Sequence, residues 1–392
     1  MLGLIAWVVT VPPVLALGVF CVEVLAGLRP LPVRPQQAPA IGAVVLVPAH
    51  NEAATIETTI RGLREAIGHL DRLLVVADNC TDSTAEVART AGAEVVERDD
   101  PDRRGKGFAL AFGREVLSRD PPEVVVVVDA DCTMSASSIE RIVAAAASMD
   151  RPVQAVDLQV APPGGPALVQ ISNFAMLIKN LVRARGLMRI GGGIPLFGTG
   201  MAIPWRTFAT VDLATGETVE DLHLALELAR DGIGVLLIEN ATVLSPAAAA
   251  ADTLSQRRRW EHGFLHTAAR QAVPLTLRGL KRRSRLQIAL GLHLCVPPLA
   301  LLITVSLLCG LVGLTLGTFG GGWTPPIVIF GALALALIST FVAWLSYGQE
   351  VLSASALATA PLYVARKLPL YLGAFTARQR VWNRTRRDGE RG

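Results

Sequence analysis

The sequence predicts an α/β domain with an open, doubly wound sheet, accompanied by membrane-spanning helices. Short runs of β-branched residues alternate with amphipathic stretches through the first third of the chain, the pattern of strands covered by helices. Long apolar stretches lie towards both ends, and 51% of the 392 residues are hydrophobic, with a mean hydropathy of +0.44. A composition this apolar indicates that part of the chain lies in lipid.

Three apolar stretches predict membrane spans. Leu2 to Leu28 exceeds the roughly 20 residues that cross a bilayer, and we expect an anchor rather than a cleaved signal because no basic segment precedes it. Leu286 to Leu316 and Pro326 to Tyr347 predict two further spans. The predicted organisation is an N-terminal transmembrane helix (1–28), a cytoplasmic domain (29–285), two transmembrane helices (286–347), and an interfacial or re-entrant segment followed by a basic cytoplasmic tail (348–392).

The placement of charge predicts the orientation. Arg and Lys are dense in 257–285 and in 366–391, whereas the link between the last two spans carries neither. Basic flanks stay on the cytoplasmic side, so the large domain and the tail should face the cytoplasm of a bacterial inner or plasma membrane. The net charge of +4 is small, and we expect no nucleic-acid partner. The five cysteines form no CxxC pair, which argues against a disulfide framework or a zinc site.

The predicted sheet begins with four strands: Ala43 to Ala49, Arg72 to Asp78, Ala93 to Glu97 and Val124 to Val128. They read as parallel strands because they are apolar on both faces. Amphipathic helices are expected between them, over residues 53–67, 83–91 and 106–117.

Polar residues follow three of these strands, where open α/β sheets bind ligands. Glu52 lies just after the first strand, Asp78 ends the second, and Asp129 and Asp131 follow the fourth. No GxGxxG follows the first strand, so a classical dinucleotide fingerprint is missing. Lys106, between two glycines at a helix start, is placed to approach a phosphate.

The Asp129-Ala130-Asp131 motif predicts a divalent cation at this edge. Mg²⁺ and Mn²⁺ prefer carboxylate oxygens, and a nucleoside diphosphate needs such a cation to neutralise it. The alternative is that the two carboxylates simply begin a turn.

Glu220-Asp221 has two interpretations. Asp221 is placed to act as a general base that takes a proton from an attacking hydroxyl. It also fits a capping box with Thr218 at the start of a helix. Both can hold, because a carboxylate at a helix start is already oriented.

Two other motifs frame the predicted site. Gln256, Arg259 and Trp260 share one face of a helix, where Arg pairs with a diphosphate and Trp offers a stacking surface. Arg257 and Arg258 read instead as a membrane flank. The glycine-rich stretch from Phe197 to Met201 lets backbone approach a ligand, although an ordinary loop explains it equally well.

Together these motifs resemble the membrane-bound glycosyltransferases of family 2, which include cellulose, chitin, hyaluronan and poly-N-acetylglucosamine synthases and ceramide glucosyltransferase. The resemblance rests on Val47-Pro-Ala-His-Asn-Glu52, Asp78, Asp129-x-Asp131, Glu220-Asp221 and Gln256-x-x-Arg259-Trp260, and it covers residues 43–266 with the flanking spans. It implies a GT-A fold with a mixed sheet, a nucleotide-sugar donor and inversion at the anomeric carbon.

The resemblance also implies a role for each matching residue. Glu52, Asp78, Lys106, Asp129, Gln256, Arg259 and Trp260 would bind the donor, with Asp78 on the base and Asp129 on the nucleoside. Asp131 would ligate Mg²⁺ or Mn²⁺, and Asp221 would be the catalytic base. Phe197, Gly198 and Thr199 would face the acceptor, together with Trp260.

Two departures shape the expected function. Val219 stands where many members have Thr, and the C-terminal membrane part is small for a polymer channel. We expect transfer of a sugar from a nucleotide-sugar, with a UDP-sugar as the favoured donor, to a membrane-proximal glycan. The product would be a β-linkage, as in exopolysaccharide synthesis. The lipid bilayer and export or synthase subunits are the further expected partners. One alternative is single-sugar transfer to a ceramide, hopanoid or polyprenyl phosphate. Another is a non-catalytic, nucleotide-sugar-binding membrane scaffold.

Overall fold

The computed structural model describes residues 1–32, 42–67, 72–160, 164–216, 219–246 and 253–374. The described chain forms two compact units. The sheet unit contains residues 30–163 and 192–264, and the helical unit contains 1–29, 164–191 and 265–374. Segment 164–191 lies within the predicted domain 29–285 but groups with the N- and C-terminal helices. The predicted domain boundaries stay a prediction.

The sheet unit is built on eight strands: β1 Ala43–Ala49, β2 Arg72–Asp78, β3 Glu94–Arg98, β4 Val124–Val127, β5 Thr133–Met134, β6 Val153–Val160, β7 Met201–Pro204 and β8 Leu236–Pro246. Their order in the sheet is β3-β2-β1-β4-β7-β6-β8-β5. The first four strands pair in parallel, β7 is antiparallel to β4 and β6, and β8 is parallel to β6. The predicted mixed α/β sheet is therefore confirmed.

Fifteen α-helices occur in the described residues: α1 Leu2–Gly27, α2 Ile56–Ile67, α3 Thr84–Thr90, α4 Lys106–Leu117, α5 Ala136–Met149, α6 Ala167–Leu177, α7 Ala184–Gly191, α8 Trp205–Phe208, α9 Glu220–Arg230, α10 Thr253–Arg282, α11 Arg285–Leu294, α12 Leu299–Leu316, α13 Thr324–Ala343, α14 Ala354–Leu357 and α15 Ala360–Ala374. Single π-helical segments follow α6, α12 and α13, at Ile178–Arg183, Gly317–Gly321 and Trp344–Gly348.

The core of the sheet unit explains why β1 and β4 form where the sequence predicts. All four valines of β4 are fully buried, and β4 pairs with β1 from Ala43 opposite Val124 onwards. Ile60 and Leu63 of α2 pack into the same core. A strand buried on both faces gains from apolar side chains at every position, so an unbroken valine run favours this central place.

Three helices in the described part of the chain are long and apolar enough to cross a membrane: Leu2–Gly27, Leu299–Gly321 and Thr324–Gly348. The span expected from Leu286 begins later. Residues 285–294 form the separate helix α11, and α12 starts at Leu299 after Pro297 and Pro298. Proline lacks the N–H that would continue a helix, so the pair ends one helix and starts the next.

The helical unit accounts for the acidic residue inside the first apolar stretch. The Glu23 carboxylate is 2% exposed, accepts a 2.7 Å hydrogen bond from Arg183 Nε and lies 2.9 Å from His293 Nδ1. Gly27 and Gly186 let the backbones meet here: a Cβ on Gly27 would lie 1.8 Å from the Val182 carbonyl oxygen. A buried charge persists only when it is paired in this way.

Candidate active site

The first part of the site lies at the carboxyl end of β2. Asp78 is fully buried, and its Oδ1 accepts a 2.6 Å hydrogen bond from Arg98 Nη1. Its Oδ2 is buried with no hydrogen-bond partner among the described residues. An orphaned buried carboxylate oxygen is costly unless a ligand donates to it.

The end of β1 is linked to the end of β2 by short polar contacts. His50 Nδ1 lies 2.7 Å from the Asp78 carbonyl oxygen, and the Glu52 N–H donates to Thr84 Oγ1 at 2.8 Å. The Glu52 carboxylate accepts a 2.9 Å hydrogen bond from the Thr55 hydroxyl. Glu52 is thus fixed in the turn that leads into α2, and His50 of the same turn contacts Asp78.

Lys106 begins α4 and joins elements that are far apart in sequence. Its Nζ donates to Asp129 Oδ1 and, at 2.7 Å, to the Gly198 carbonyl oxygen, and it lies 3.9 Å from Glu220 Oε1. Burial alone would lower the pKa of Lys106, but the attraction of Asp129 and Glu220 outweighs it and raises the pKa. The side chain therefore stays a cation among carboxylates.

The loop from Phe197 to Gly200 holds these groups from the other side. Gly198 has a φ of +90°, and a methyl group added there would lie 3.5 Å from Asp221 Oδ2. The Asp129 N–H donates to Thr199 Oγ1 at 3.1 Å. The structure thus brings together Lys106, Asp129, the 197–200 loop and the start of α9.

The carboxylates around Lys106 have perturbed protonation. Burial raises the pKa of Glu220 to about 7, with Lys106 opposing the shift and Asp221 adding to it. Burial also raises the pKa of Asp129, although the Lys106 ammonium opposes this. Asp221 lines a cleft with Glu220, Asp212 and Thr215. Glu220 is therefore able to take up and release a proton near neutral pH.

Asp131 lies two residues beyond Asp129 in the turn after β4. Its Oδ1 accepts a 3.4 Å hydrogen bond from Cys132 Sγ, and Cys132 contacts the Ser245 hydroxyl at 3.3 Å. Burial, with the nearby Asp131 and Asp129 charges, raises the pKa of the Cys132 thiol well above its ordinary value. No group of three His, Cys, Asp or Glu side chains among the described residues could hold a metal by itself.

The motif at 256–260 lies near the start of α10, and one expectation about it is wrong. Arg257 is 6% exposed, its Nη2 donates to Gln159 Oε1 at 2.6 Å, and its guanidinium carbon lies 5.2 Å from the Trp260 ring centroid. It is not a solvated membrane flank. Arg259 and Trp260 are partly buried, and the Gln256 side chain and Thr218 lie outside the described residues.

Sequence reasoning missed the residues that support the site, Arg257 among them. Gln154 of β6 is fully buried, accepts a 2.9 Å hydrogen bond from the Phe197 N–H and donates at 2.7 Å to the Thr199 carbonyl oxygen. A glutamine inside a strand was the available signal, because such a side chain must find partners. Asp78 lies two strands from β4, about 10 Å across the sheet, which suits the two ends of an extended ligand.

Comparison with known proteins identifies the family. The family model described as "Glycosyl transferase family group 2" matches residues 124–347, more than half of the chain, and "Glycosyl transferase family 2" matches residues 44–186. The chain belongs to glycosyltransferase family 2. The predicted family is confirmed at this level.

Family 2 relatives include enzymes that use nucleotide-sugars. Glucosyl-3-phosphoglycerate synthase of Mycobacterium tuberculosis is 39% identical over 93 residues, which span 22% of this chain and 28% of that relative. A structure of that synthase with Mn²⁺, UDP-glucose and phosphoglyceric acid aligns at 20% identity over 58% of this chain and 83% of that chain, with a TM-score of 0.39.

A solved structure similar over nearly the whole chain supports the fold. The mannosyltransferase PcManGT of Pyrobaculum calidifontis, in complex with GDP-mannose and Mn²⁺, aligns over 94% of this chain and 98% of that chain, at 17% identity and a TM-score of 0.56. The predicted GT-A architecture is therefore confirmed. The structures of these two proteins both hold a divalent cation with the nucleotide-sugar.

Proposed function

We propose that the protein is a membrane-bound, inverting hexosyltransferase that moves a sugar from a nucleotide-sugar to a membrane-proximal glycan, forming a β-linkage. Membership of glycosyltransferase family 2 supports sugar transfer. The three apolar helices that are long enough to cross a bilayer support attachment to a membrane. The dense Arg and Lys of 257–285 support a cytoplasmic sheet unit.

The observation that carries the proposal is the convergence of the Lys106 cation, the Gly198 turn and the Asp221 carboxylate on one end of the sheet. In the proposed reaction the acceptor hydroxyl oxygen attacks the anomeric carbon, and the Asp221 carboxylate takes the proton from that hydroxyl. The bond from that carbon to the diphosphate breaks, and the nucleoside diphosphate leaves with the electron pair.

The donor-binding residues would divide the nucleotide between them. The orphaned Asp78 Oδ2 suits an N–H of the base, with Glu52 in the neighbouring turn, and Asp129 would contact the nucleoside. Arg259 and Trp260 would hold the diphosphate and the acceptor end together with Gln256. Phe197, Gly198 and Thr199 would face the acceptor.

The donor set fits a hard divalent cation. Asp131 offers carboxylate oxygens, and Mg²⁺ is usually held by one or two carboxylates with the remaining positions filled by phosphate oxygens and water. We propose that Asp131 holds Mg²⁺ or Mn²⁺, which when bound neutralises the diphosphate leaving group.

A lipid acceptor is the second candidate. Only three candidate spans occur in the described residues, two of them C-terminal, which leaves little protein to enclose a polymer channel. A chain with this membrane part could transfer one sugar to a lipid such as a ceramide, hopanoid or polyprenyl phosphate, or could work with export or synthase subunits.

The test is a donor screen with purified, detergent-solubilised protein. UDP- and GDP-sugars carrying a radiolabelled sugar are incubated with a membrane lipid extract, with Mn²⁺ or with EDTA, and the products are separated by size. We expect metal-dependent transfer from one donor class, giving a ladder. One lipid-soluble band would select the single-transfer candidate, and donor binding without any transfer or hydrolysis would favour the non-catalytic scaffold.

A further inference from the structure

Three polar side chains of β6 are an unexplained feature of the sheet. β6 lies between β7 and β8, and its sequence, Val-Gln-Ala-Val-Asp-Leu-Gln-Val, places Gln154, Asp157 and Gln159 within an inner strand. Gln154 is fully buried and Asp157 is 6% exposed. Burying polar groups inside a sheet costs free energy unless each is hydrogen-bonded, so their partners show what they are for.

Gln154 is bonded to the glycine-rich loop before β7. Its Oε1 accepts from the Phe197 N–H at 2.9 Å, which fixes the orientation of the carboxamide. Its Nε2 then faces the carbonyl oxygens of Thr199 at 2.7 Å and Gly200 at 3.3 Å. The same loop carries the Gly198 carbonyl oxygen, which accepts a hydrogen bond from Lys106. Gln154 therefore holds the loop that would face the acceptor.

Asp157 is connected to the proposed metal ligand, Asp131, through one hydroxyl group and one thiol group. The Ser245 hydroxyl donates to Asp157 Oδ1 at 2.8 Å and contacts Cys132 Sγ at 3.3 Å. Cys132 Sγ lies 3.4 Å from Asp131 Oδ1. The chain of contacts leads from β6 to one oxygen of Asp131 and restricts how that carboxylate can turn.

Gln159 is bonded to the start of α10. Its Oε1 accepts a 2.6 Å hydrogen bond from Arg257 Nη2, and the Arg257 guanidinium stacks on Trp260. Three separate elements of the proposed site are thus each tied to a different side chain of the same strand.

We propose that Gln154, Asp157 and Gln159 of β6 are positioning residues that set the 197–200 loop, Asp131 and Trp260 in register with one another. The inference rests on the proposed function for the roles of those three elements, but not for the contacts themselves. β6 is a suitable base, because it pairs with β8 along its whole length and with β7 at Val153 and Gln154, so its residues move little against one another.

Hydrogen–deuterium exchange on the full-length, detergent-solubilised protein tests the proposal. Gln154→Leu, Asp157→Leu and Gln159→Leu each remove the polar groups at similar size. Each should speed exchange about tenfold in its own target alone: peptides covering 197–200, 129–132 and 257–260 respectively. Val156→Ala, a cavity in the same buried strand, is the control and should not reproduce this selectivity.

Conservative variants sharpen the test. Asp157→Asn and Gln159→Glu keep an acceptor for Ser245 and Arg257, so both should restore exchange to the wild-type rate. Uniform loosening of all three peptides by every leucine variant, or no loosening in any target, would overturn the proposal and assign β6 a purely structural role.

Kinetics distinguish this proposal from the proposed function. In active protein, Gln154→Leu should lower kcat with the donor KM unchanged, Gln159→Leu should raise the donor KM, and Asp157→Leu should raise the Mn²⁺ concentration for half-maximal rate. If the leucine variants loosen their targets selectively but the wild-type protein transfers no sugar, the positioning contacts are upheld and the proposed function is refuted.

Discussion

Replacing Lys106 with methionine removes the ammonium group that faces Asp129, Glu220 and the Gly198 carbonyl oxygen. The Lys106 side chain is 13% exposed, Glu220 18% and Asp129 36%. Removing one partner of a buried ion pair costs about 3–5 kcal/mol, and the partial exposure of Asp129 places the loss near the lower end, at about 3 kcal/mol. For a domain of this size that corresponds to a fall in Tm of about 6–12 °C.

A double-mutant cycle separates this electrostatic loss from the loss of packing. Asp129→Asn removes the carboxylate that Lys106→Met leaves uncompensated, so the double variant should be less destabilised than the sum of the single variants, by at least about 1 kcal/mol. Tm of the purified protein is measured for all four combinations, with Lys281→Met as a control at an exposed lysine. Additive losses, or a Lys106→Met variant as stable as the control, would refute the ionic role of Lys106.

Three further substitutions test other parts of the molecule. The folded protein holds the Glu220 pKa at about 7, above its ordinary value of 4.5, so the folded state binds this proton more tightly than the unfolded state does. The free energy of unfolding of wild type, relative to that of Glu220→Gln, should therefore fall by at most about 3 kcal/mol as pH rises from 4.5 to 7. The same pH dependence of unfolding in both proteins would contradict the assignment. Gly198→Ala adds a methyl group to a residue whose φ is +90°, 3.4 Å from Lys106 Nζ. The substitution should lower the free energy of unfolding by about 1–2 kcal/mol and should lower turnover. Gly216→Ala is the control and should do neither. In the helical unit, Glu23→Gln leaves the Arg183 guanidinium buried without its counter-charge, and Tm in detergent should fall by several degrees, whereas an unchanged Tm would show that the pair does not stabilise the unit.

The first half of the sheet was predictable because its signals are local. β1 and β2 begin and end where the sequence predicts, β3 starts one residue later, and β4 ends at Val127. β1, β2 and β4 are apolar on both faces and are followed by a polar residue at the rim, a pattern that needs no knowledge of the partner strands. Asp78, Asp129 and Asp131 could be placed at that rim for the same reason.

The second half was not predictable because its strands obtain their stability from distant partners. β6 carries Gln154, Asp157 and Gln159, whose partners Phe197, Ser245 and Arg257 are 43, 88 and 98 residues away along the chain. β7 has only four residues and pairs antiparallel to strands on both sides. Propensity within a short window cannot report such long-range contacts.

Arg257 and the interrupted span show the same limit at single residues. Three consecutive arginines before an apolar stretch are typical of a membrane flank, and nothing in the run itself marks Arg257 as the one that stacks on Trp260 and binds Gln159. Pro297-Pro298 was a visible signal, and its consequence is that the apolar stretch from Leu286 divides into α11 and α12.

The most direct test of the central claim compares transfer and donor binding in Asp221→Asn. Asn keeps the size of the side chain but takes up no proton, so sugar transfer should fall at least about 100-fold while the Kd of the donor with Mn²⁺ stays within about twofold of wild type. Asp231→Asn, at the exposed far end of the same helix, is the matched control and should keep full activity. Unchanged turnover in Asp221→Asn would contradict the role of Asp221 as the base and, with it, the proposed mechanism of transfer.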